Sequence, residues 1–260
     1  MRQAARNSFR NALAASSIGL GLSASVAFAE APTPDAAATP AVAAAAVFKN
    51  ESEAGIIITS GNSSAQSFNF KQLNSFAWDK NLFAFSGKYL NSNTEGVDTA
   101  LLWNLGLRYE RELSAFLSAF AGQDVESDIF SGYAQRYNTD LGGKYFIDKE
   151  EAFYWDVEAG YRYTIENRLT GQVNQNYLRF YTEANRDWTQ TFSTKVDIEY
   201  LPNLTVASDY QLNGEISASA AITAIFAIKS GYVVKYRHLP PPPALKSTDT
   251  QFVTALVAKF

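Results

Sequence analysis

Charged side chains of opposite sign alternate with apolar residues in the second half of the chain. Within each segment they occupy every second position, so in extended backbone they would project from one face. Such a face can pair its charges internally, or it can line a narrow aqueous pore that selects ions. If these segments enclose a pore, the residues that would line its lumen are Glu158, Arg162, Arg179, Glu183, Lys195, Asp197 and Glu199.

A second group of charges lies near the end of the chain. Lys229, Lys235, Arg237 and Lys259 form a basic arc, and Glu215 lies close to them in sequence. Facing acidic and basic arcs can polarise a constriction, but a solvated interior would contain the same residues. Both interpretations remain open.

A metal site is weakly indicated at one place only. Asp124, Glu126 and Asp128 alternate and supply three oxygen donors, but a calcium loop of the EF-hand type would need glycine where Ile129 stands and glutamate where Gln135 stands. A solvated acidic loop explains these residues better. We therefore predict no metal and no other cofactor.

A catalytic site is indicated only by His238, the single histidine of the chain. Lipid-modifying enzymes of the membrane rim use a serine and a histidine in hydrogen-bond contact. The chain has no Gly-x-Ser-x-Gly motif, and spacing assigns no serine to His238. We therefore predict that the protein is not an enzyme.

The elements that would position these residues are long alternating strands. In residues 99–111 and 153–166, apolar side chains occupy the odd positions, while small, polar or charged residues fill most of the even ones. Several segments keep this pattern for ten or more residues, whereas ordinary strands average about five or six and a membrane-crossing strand needs about nine to eleven. The pattern therefore predicts an antiparallel transmembrane β-barrel. About twelve strands are expected, at 52–60, 64–78, 82–91, 99–111, 114–125, 137–147, 153–166, 176–188, 191–201, 210–221, 225–237 and 249–260.

The connections predict how the barrel is threaded. Those at 79–81, 112–113, 148–151 and 189–190 are short, while those at 92–98, 126–136, 167–175 and 238–248 are longer. Short periplasmic turns and long external loops alternate in this way in outer-membrane barrels. The tight 60–63 connection is an exception on the external side.

The start of the chain predicts export. Arg2, Arg6 and Arg10 precede a small and apolar stretch, and Ala27, Phe28 and Ala29 fit a signal-peptidase site, so residues 1–29 are interpreted as a signal peptide. Residues 30–50 are rich in alanine and proline and are predicted to be a flexible periplasmic spacer, leaving 51–260 for the barrel.

Composition narrows the class of protein. The chain has no cysteine, which excludes disulfides and thiolate ligands, and 47% of its residues are hydrophobic without any run of about twenty that could form a spanning helix. It carries 26 acidic against 22 basic residues, and no basic face is visible. Nucleic acid is therefore not an expected partner.

Aromatic residues predict contacts with lipid and with the assembly machinery. Aromatics at strand ends are expected in belts at the two membrane interfaces. Phe252, Leu256 and Phe260 share one face of the last strand, and an aromatic residue at its end is typical of the signal read by the outer-membrane assembly machinery. The belt candidates are Trp78, Tyr109, Trp155, Trp188 and Tyr200.

Three sequence segments carry a resemblance to a known family. They are Ile-Ile-Ile-Thr-Ser-Gly-Asn-Ser at 56–63, Glu-Tyr-Leu-Pro-Asn at 199–203 and Thr-Asp-Thr at 248–250. With these segments the chain, from about residue 51 to 260, resembles the salt-induced outer membrane proteins, also known as domain of unknown function 481. The resemblance implies an outer-membrane barrel of a Gram-negative cell and brings no assigned catalytic residues.

Three functions follow from these observations. The first is a narrow, porin-like channel for small polar solutes or ions. The second is a plugged structural barrel that supports the envelope under osmotic or salt stress, and the third is a rim enzyme acting on lipid. The expected partners are outer-membrane lipid and the assembly machinery, and the sequence leaves the oligomeric state open.

Overall fold

The protein folds into one closed antiparallel β-barrel of twelve strands. The computed structural model describes residues 46–59, 65–150, 152–168, 170–242 and 246–259. Each strand pairs with its neighbours in the chain, and β12 pairs with β1. This confirms the predicted fold class and strand number. The strands are β1 Val47–Thr59, β2 Ala65–Trp78, β3 Asn81–Thr94, β4 Val97–Ser114, β5 Leu117–Asp128, β6 Tyr133–Lys149, β7 Phe153–Arg168, β8 Gly171–Asp187, β9 Phe192–Pro202, β10 Tyr210–Ala221, β11 Phe226–Arg237 and β12 Thr248–Lys259.

The predicted signal peptide and most of the predicted spacer lie outside the described residues. The spacer was predicted to extend to residue 50, but β1 begins at Val47. Residues 47–50 pair with 74–77 of β2 because that strand continues to Trp78 and offers them a complete hydrogen-bonding partner. Among the described residues, no helix is long and apolar enough to cross a bilayer.

Side chains alternate between an apolar outer face and a polar interior along the strands. On β4, Leu105, Leu107 and Tyr109 are 39–49% exposed on the outside, whereas Arg108 and Glu110 are buried inside. Apolar residues on the outer face form the band that lipid would contact, and the polar ones face the lumen. The predicted alternation of outward apolar and inward polar side chains is therefore confirmed for this strand.

Two ends of the barrel can be distinguished. At the proximal end, where β1 begins and β12 ends, the turns at 79–80, 115–116, 150–152 and 188–191 are short, as predicted, and the turn at 222–225 is short as well. At the distal end, the longest connections among the described elements are 203–209 and 238–247.

Two of the predicted long distal loops are wrong. β3 and β4 are joined by the two residues Glu95 and Gly96, both with positive φ, and β7 and β8 by residues 169–170. The predicted 126–136 loop shortens to 129–132. The polar residues in these segments continue the strands: the amides of Asn91 and Asn93 donate to Asp98 Oδ1 across the β3–β4 pair at 3.4 and 3.3 Å. Their polarity therefore indicated the end of the apolar band rather than the end of the strand.

An inward-facing pair of glycines makes room for an aromatic ring inside the barrel. Gly142 on β6 pairs with Gly160 on β7. A Cβ atom on Gly142 would lie 2.6 Å from the Ala159 carbonyl oxygen and 2.7 Å from Cζ of Phe120. Phe120 is 4% exposed and therefore lies against this part of the wall. Only glycine permits so close an approach.

The seam between β1 and β12 is short. Among the described residues, these strands pair in register at four positions, Glu51 with Lys259 through Ala54 with Leu256. β1 and β2, in contrast, pair at all thirteen residues of β1. The seam lies toward the proximal end of the barrel.

Candidate functional site: the barrel interior

The seven predicted lumen residues lie on the inner face of β7, β8 and β9. The structure divides them between two groups of ion pairs. Glu158, Arg162, Arg179 and Glu199 meet near the middle of the barrel. Glu183, Lys195 and Asp197 meet closer to the proximal end.

Arg179 is the centre of the first group. Its Nη1 donates to Glu158 Oε2 at 2.5 Å, and its Nε donates to Glu199 Oε1 at 2.7 Å. Arg162 also reaches Glu199, at 3.1 Å, and binds both oxygens of Asp140 at 2.7 Å. This bidentate geometry is the strong form of a guanidinium–carboxylate pair.

The same group extends onto strands that the sequence interpretation did not include. Arg108 Nη2 on β4 lies 2.7 Å from Glu158 Oε1. Lys144 Nζ on β6 lies 3.3 Å from Glu110 Oε2 and 3.6 Å from Asp156 Oδ2. We call the nine side chains the central charge cluster. Its members are Arg108, Glu110, Asp140, Lys144, Asp156, Glu158, Arg162, Arg179 and Glu199.

The central charge cluster fills the lumen beside β4–β9. The side chains of Lys144, Asp156 and Glu158 are 0% exposed. The Phe120 ring packs against the arginines of the cluster, with the guanidinium carbon of Arg108 at 3.9 Å from its centroid and that of Arg179 at 5.7 Å. Charges so deeply buried require partners on every side, and here each has at least one oppositely charged neighbour.

Two smaller groups lie toward the proximal end. Lys195 Nζ is 2.8 Å from Glu183 Oε2, which also accepts a hydrogen bond from Tyr181. Lys229 Nζ lies 3.1 Å from Glu53 and 3.0 Å from Glu215. Three members of the predicted basic arc thus have separate partners, with Lys259 on Glu51 and Arg237 on Glu166 at the other end, while Lys235 lines the distal cavity.

A cavity of about 330 Å³ occupies the distal half of the lumen. Its lining includes Arg162 and Glu199, so the central charge cluster forms its floor, and Pro240 and Pro241 of the 238–247 loop lie at its rim. Lys88 lines this distal cavity and also a deeper space of about 50 Å³ between β1–β3 and β10–β12. The two spaces therefore meet at Lys88, and only the deeper one lies on the side of the barrel away from the cluster.

The acidic residues of β5 bind neighbouring groups of the barrel wall separately and do not converge on one metal site. Glu126 accepts from Arg136 Nε at 2.7 Å and from Asn138 at 3.0 Å. Asp128 Oδ1 accepts the backbone N–H of Ser131 in the turn that follows. In the described part of the chain, no group of three acidic or histidine side chains is arranged to hold a metal ion.

His238 lies at the distal rim within an aromatic group. Its ring stacks on Tyr210 at 5.1 Å between centroids, and its Nδ1 lies 3.1 Å from the hydroxyl of Tyr236. Among the described residues, no serine forms a hydrogen bond with this ring. The arrangement is that of an interfacial aromatic patch.

The predicted lipid-facing aromatics lie on the outer surface. Tyr109, Trp155, Trp188 and Tyr200 are 38–57% exposed, and Trp78 is half-buried at the proximal end of β2. Phe252 and Leu256 also face outward, at 65% and 49% exposure. Phe260 lies outside the described residues, so its role in assembly stays a prediction.

A closed antiparallel barrel with an apolar outer face and a polar, charged interior defines a transmembrane β-barrel. The chain belongs to the family described as protein of unknown function, DUF481, whose sequence model matches residues 52–260. The resemblance found in the sequence is thereby confirmed. No curated protein matches the chain.

Solved structures of outer-membrane channels share the fold. The chain is similar to the NanC porin, with 10% identity and a TM-score of 0.52 over 81% of this chain and 98% of that one. It is also similar to the COG4313 outer membrane channel from Pseudomonas putida F1, with 11% identity and a TM-score of 0.50 over 89% of this chain and all of that one. At these identities the likeness describes the barrel fold.

Proposed function

We propose that the protein is a narrow outer-membrane channel for small polar solutes or ions, without enzymatic activity. The observation that carries this proposal is the pair of polar spaces that meet at Lys88. The distal cavity lies above the central charge cluster, and the deeper space leaves part of the lumen unfilled beside β1–β3 and β10–β12. The apolar outer band supports residence in a bilayer, with lipid as its surrounding partner and the assembly machinery as the factor that inserts it.

Val253 and Thr254 allow a direct test because they occupy the same height on opposite faces of β12. Val253 lines the deeper space, and Thr254 is exposed on the outside. Val253→Trp should fill that space and lower the single-channel conductance of refolded protein in planar bilayers. Thr254→Trp should leave conductance near the wild-type value, since an aromatic ring on the outer face contacts lipid.

Silence of correctly folded wild-type protein at every applied voltage would overturn the channel proposal. Folding is checked independently by the different gel mobility of unheated and heated samples. Equal conductance of the two tryptophan variants would instead place the solute path elsewhere in the lumen.

A plugged structural barrel is the second candidate, favoured by the burial of the central charge cluster. Its side chains bridge β4, β6, β7, β8 and β9, and such bridging stiffens a wall without requiring passage of solute. This function predicts that a deletion strain sensitive to osmotic stress is rescued by Val253→Trp as well as by the wild type. Rescue by the wild type alone would favour the channel.

A further inference from the structure

The distal cavity contains cations that the barrel itself does not neutralise. Three of its six basic residues are paired: Arg136 with Glu126 at 2.7 Å, Arg162 with Asp140 at 2.7 Å, and Arg237 with Glu166 at 3.1 Å. Within the described parts of the chain, the other three make no ion pair. They are Lys88, Lys235 and Lys246.

Lys88 and Lys235 act on one another most directly. They lie on β3 and β11, which flank β2, β1 and β12 in the barrel, and both side chains line the same cavity. Lys235 and Lys71 act on Lys88 more strongly than the carboxylates Glu215 and Glu53. Neighbouring cations repel one another, and an anion between them removes the repulsion.

The acidic residues of the cavity are directed elsewhere. Glu126 and Glu199 already bind arginines at 2.7 and 3.1 Å, although Glu126 also attracts Lys235 from beyond ion-pair distance. The strongest charged neighbour of Asp124 is Arg162, on the wall formed by the central charge cluster. Asp249 stands opposite Lys235 in the β11–β12 register, but it is exposed at the mouth and lies beyond ion-pair distance from Lys235. Six basic side chains line the cavity against four acidic ones, so an excess of positive charge remains.

Two uncommitted amides add neutral hydrogen-bonding groups. Asn104 and Gln211 line the cavity, and neither forms a side-chain hydrogen bond with another described residue. An amide offers both a donor and an acceptor, so it suits the hydroxyl or carbonyl oxygens of a polar solute. The volume of about 330 Å³ is within the range of about 300–1,000 Å³ that is usual for small-molecule sites.

We propose that the distal cavity binds a small hydrophilic anion whose carboxylate or phosphate group is held by Lys88 and Lys235. This inference gives a substrate class to the proposed channel and uses the same cavity. Binding does not require conduction, so the two ideas can fail separately.

The test is isothermal titration of refolded wild-type barrel in detergent with inorganic phosphate and, separately, with citrate, at constant pH and ionic strength. Saturable binding of at least one anion is expected, and glucose, which is uncharged, should bind more weakly. Lys88→Gln and Lys235→Gln should each weaken anion binding about tenfold, because each removes a hydrogen bond to a charged group.

Two control variants separate the site from general effects of charge. Lys80→Gln removes one positive charge from the exposed turn between β2 and β3 and should leave anion binding unchanged. Lys88→Arg and Lys235→Arg keep the charge and should retain most of the binding, which guards against a glutamine variant that folds poorly. A preference for phosphate over citrate, or the reverse, identifies which anionic group the cavity takes.

Absence of saturable binding of either anion to folded wild type would overturn the inference, as would equal losses in Lys80→Gln and the two cavity variants. Anion binding by a barrel that conducts nothing would support the inference while refuting the channel. A third outcome is a barrel that conducts cations but binds no anion, and whose selectivity is unchanged by Lys88→Gln and Lys235→Gln. This result would refute the inference and leave the channel proposal in place.

Discussion

Glu158→Gln is expected to destabilise the barrel strongly, because this carboxylate neutralises three cations at once. Arg179 Nη1 lies at 2.5 Å, Arg108 Nη2 at 2.7 Å and Lys144 Nζ at 3.4 Å from its oxygens, and its side chain is 0% exposed. Breaking a buried pair by removing one partner costs about 3–5 kcal/mol. Glutamine keeps one oxygen acceptor in place, so the lower end of that range, about 3 kcal/mol, is expected.

Glu112→Gln is the matched control. This carboxylate binds Lys149 at 3.0 Å, but the two side chains are 25% and 24% exposed near the proximal turns. A pair so accessible to water contributes at most about 1 kcal/mol. The two variants thus remove the same charge from the same type of residue and differ in burial and in the number of partners.

Equilibrium urea unfolding of the barrel in lipid vesicles, followed by tryptophan fluorescence, measures both free energies of unfolding. Similar denaturant slopes for the variants and the wild type are needed for the comparison. A loss in Glu158→Gln no larger than that in Glu112→Gln would refute the reasoning. It would mean that water reaches the central charge cluster and that the lumen is open there.

Three further predictions concern the membrane face, the lumen and assembly. Leu105→Arg should lower the free energy of unfolding by about 2–4 kcal/mol in the same assay, because the side chain faces hydrocarbon. Asn104→Arg should lower it less, because residue 104 lines the distal cavity. Equal losses would contradict the assignment of faces. Neutralising Glu199, which lines the distal cavity, should shift the reversal potential of a conducting barrel toward anions, and an unchanged potential would separate this residue from the ion path. Phe260→Ala should lower the amount of folded barrel in outer-membrane fractions without reducing export. Wild-type levels of folded barrel would show that the assembly machinery does not recognise this aromatic residue.

Strand positions were predictable because alternation of apolar and polar residues over ten or more positions is typical of extended strands with one buried face. The lengths of the distal loops were not predictable, because polar residues mark the limit of the apolar band and the strands continue beyond it, as at Asn91 and Asn93. The close packing of side chains inside the barrel was also not predictable from the sequence. The even face of β7 includes Gly160, which looks permissive in the sequence, yet a Cβ atom there would lie 2.6 Å from the Leu141 carbonyl oxygen.

The partners within the lumen could be predicted only in part. The alternation of odd and even positions assigns Glu158 and Arg108 to the interior, each within its own strand. It does not show that the two side chains meet. They are 50 residues apart on strands that are not neighbours in the barrel, and their contact depends on strand tilt and on closure. Arg179 and Glu199, on the adjacent strands β8 and β9, could be placed on the same face by the alternation alone.

The short seam between β1 and β12 has a consequence for the order in which the barrel forms. Every other strand pair is a hairpin with a nearby turn, whereas closure joins distant parts of the chain, as in the contact of Glu53 with Lys229, 176 residues apart. Loop-closure entropy therefore weighs most heavily on this step. Until it is complete, the chain is an open sheet with two unpaired edges. The same four residue pairs, supported by the Glu51–Lys259 and Glu53–Lys229 ion pairs, also form the line along which a finished barrel would part first under strain.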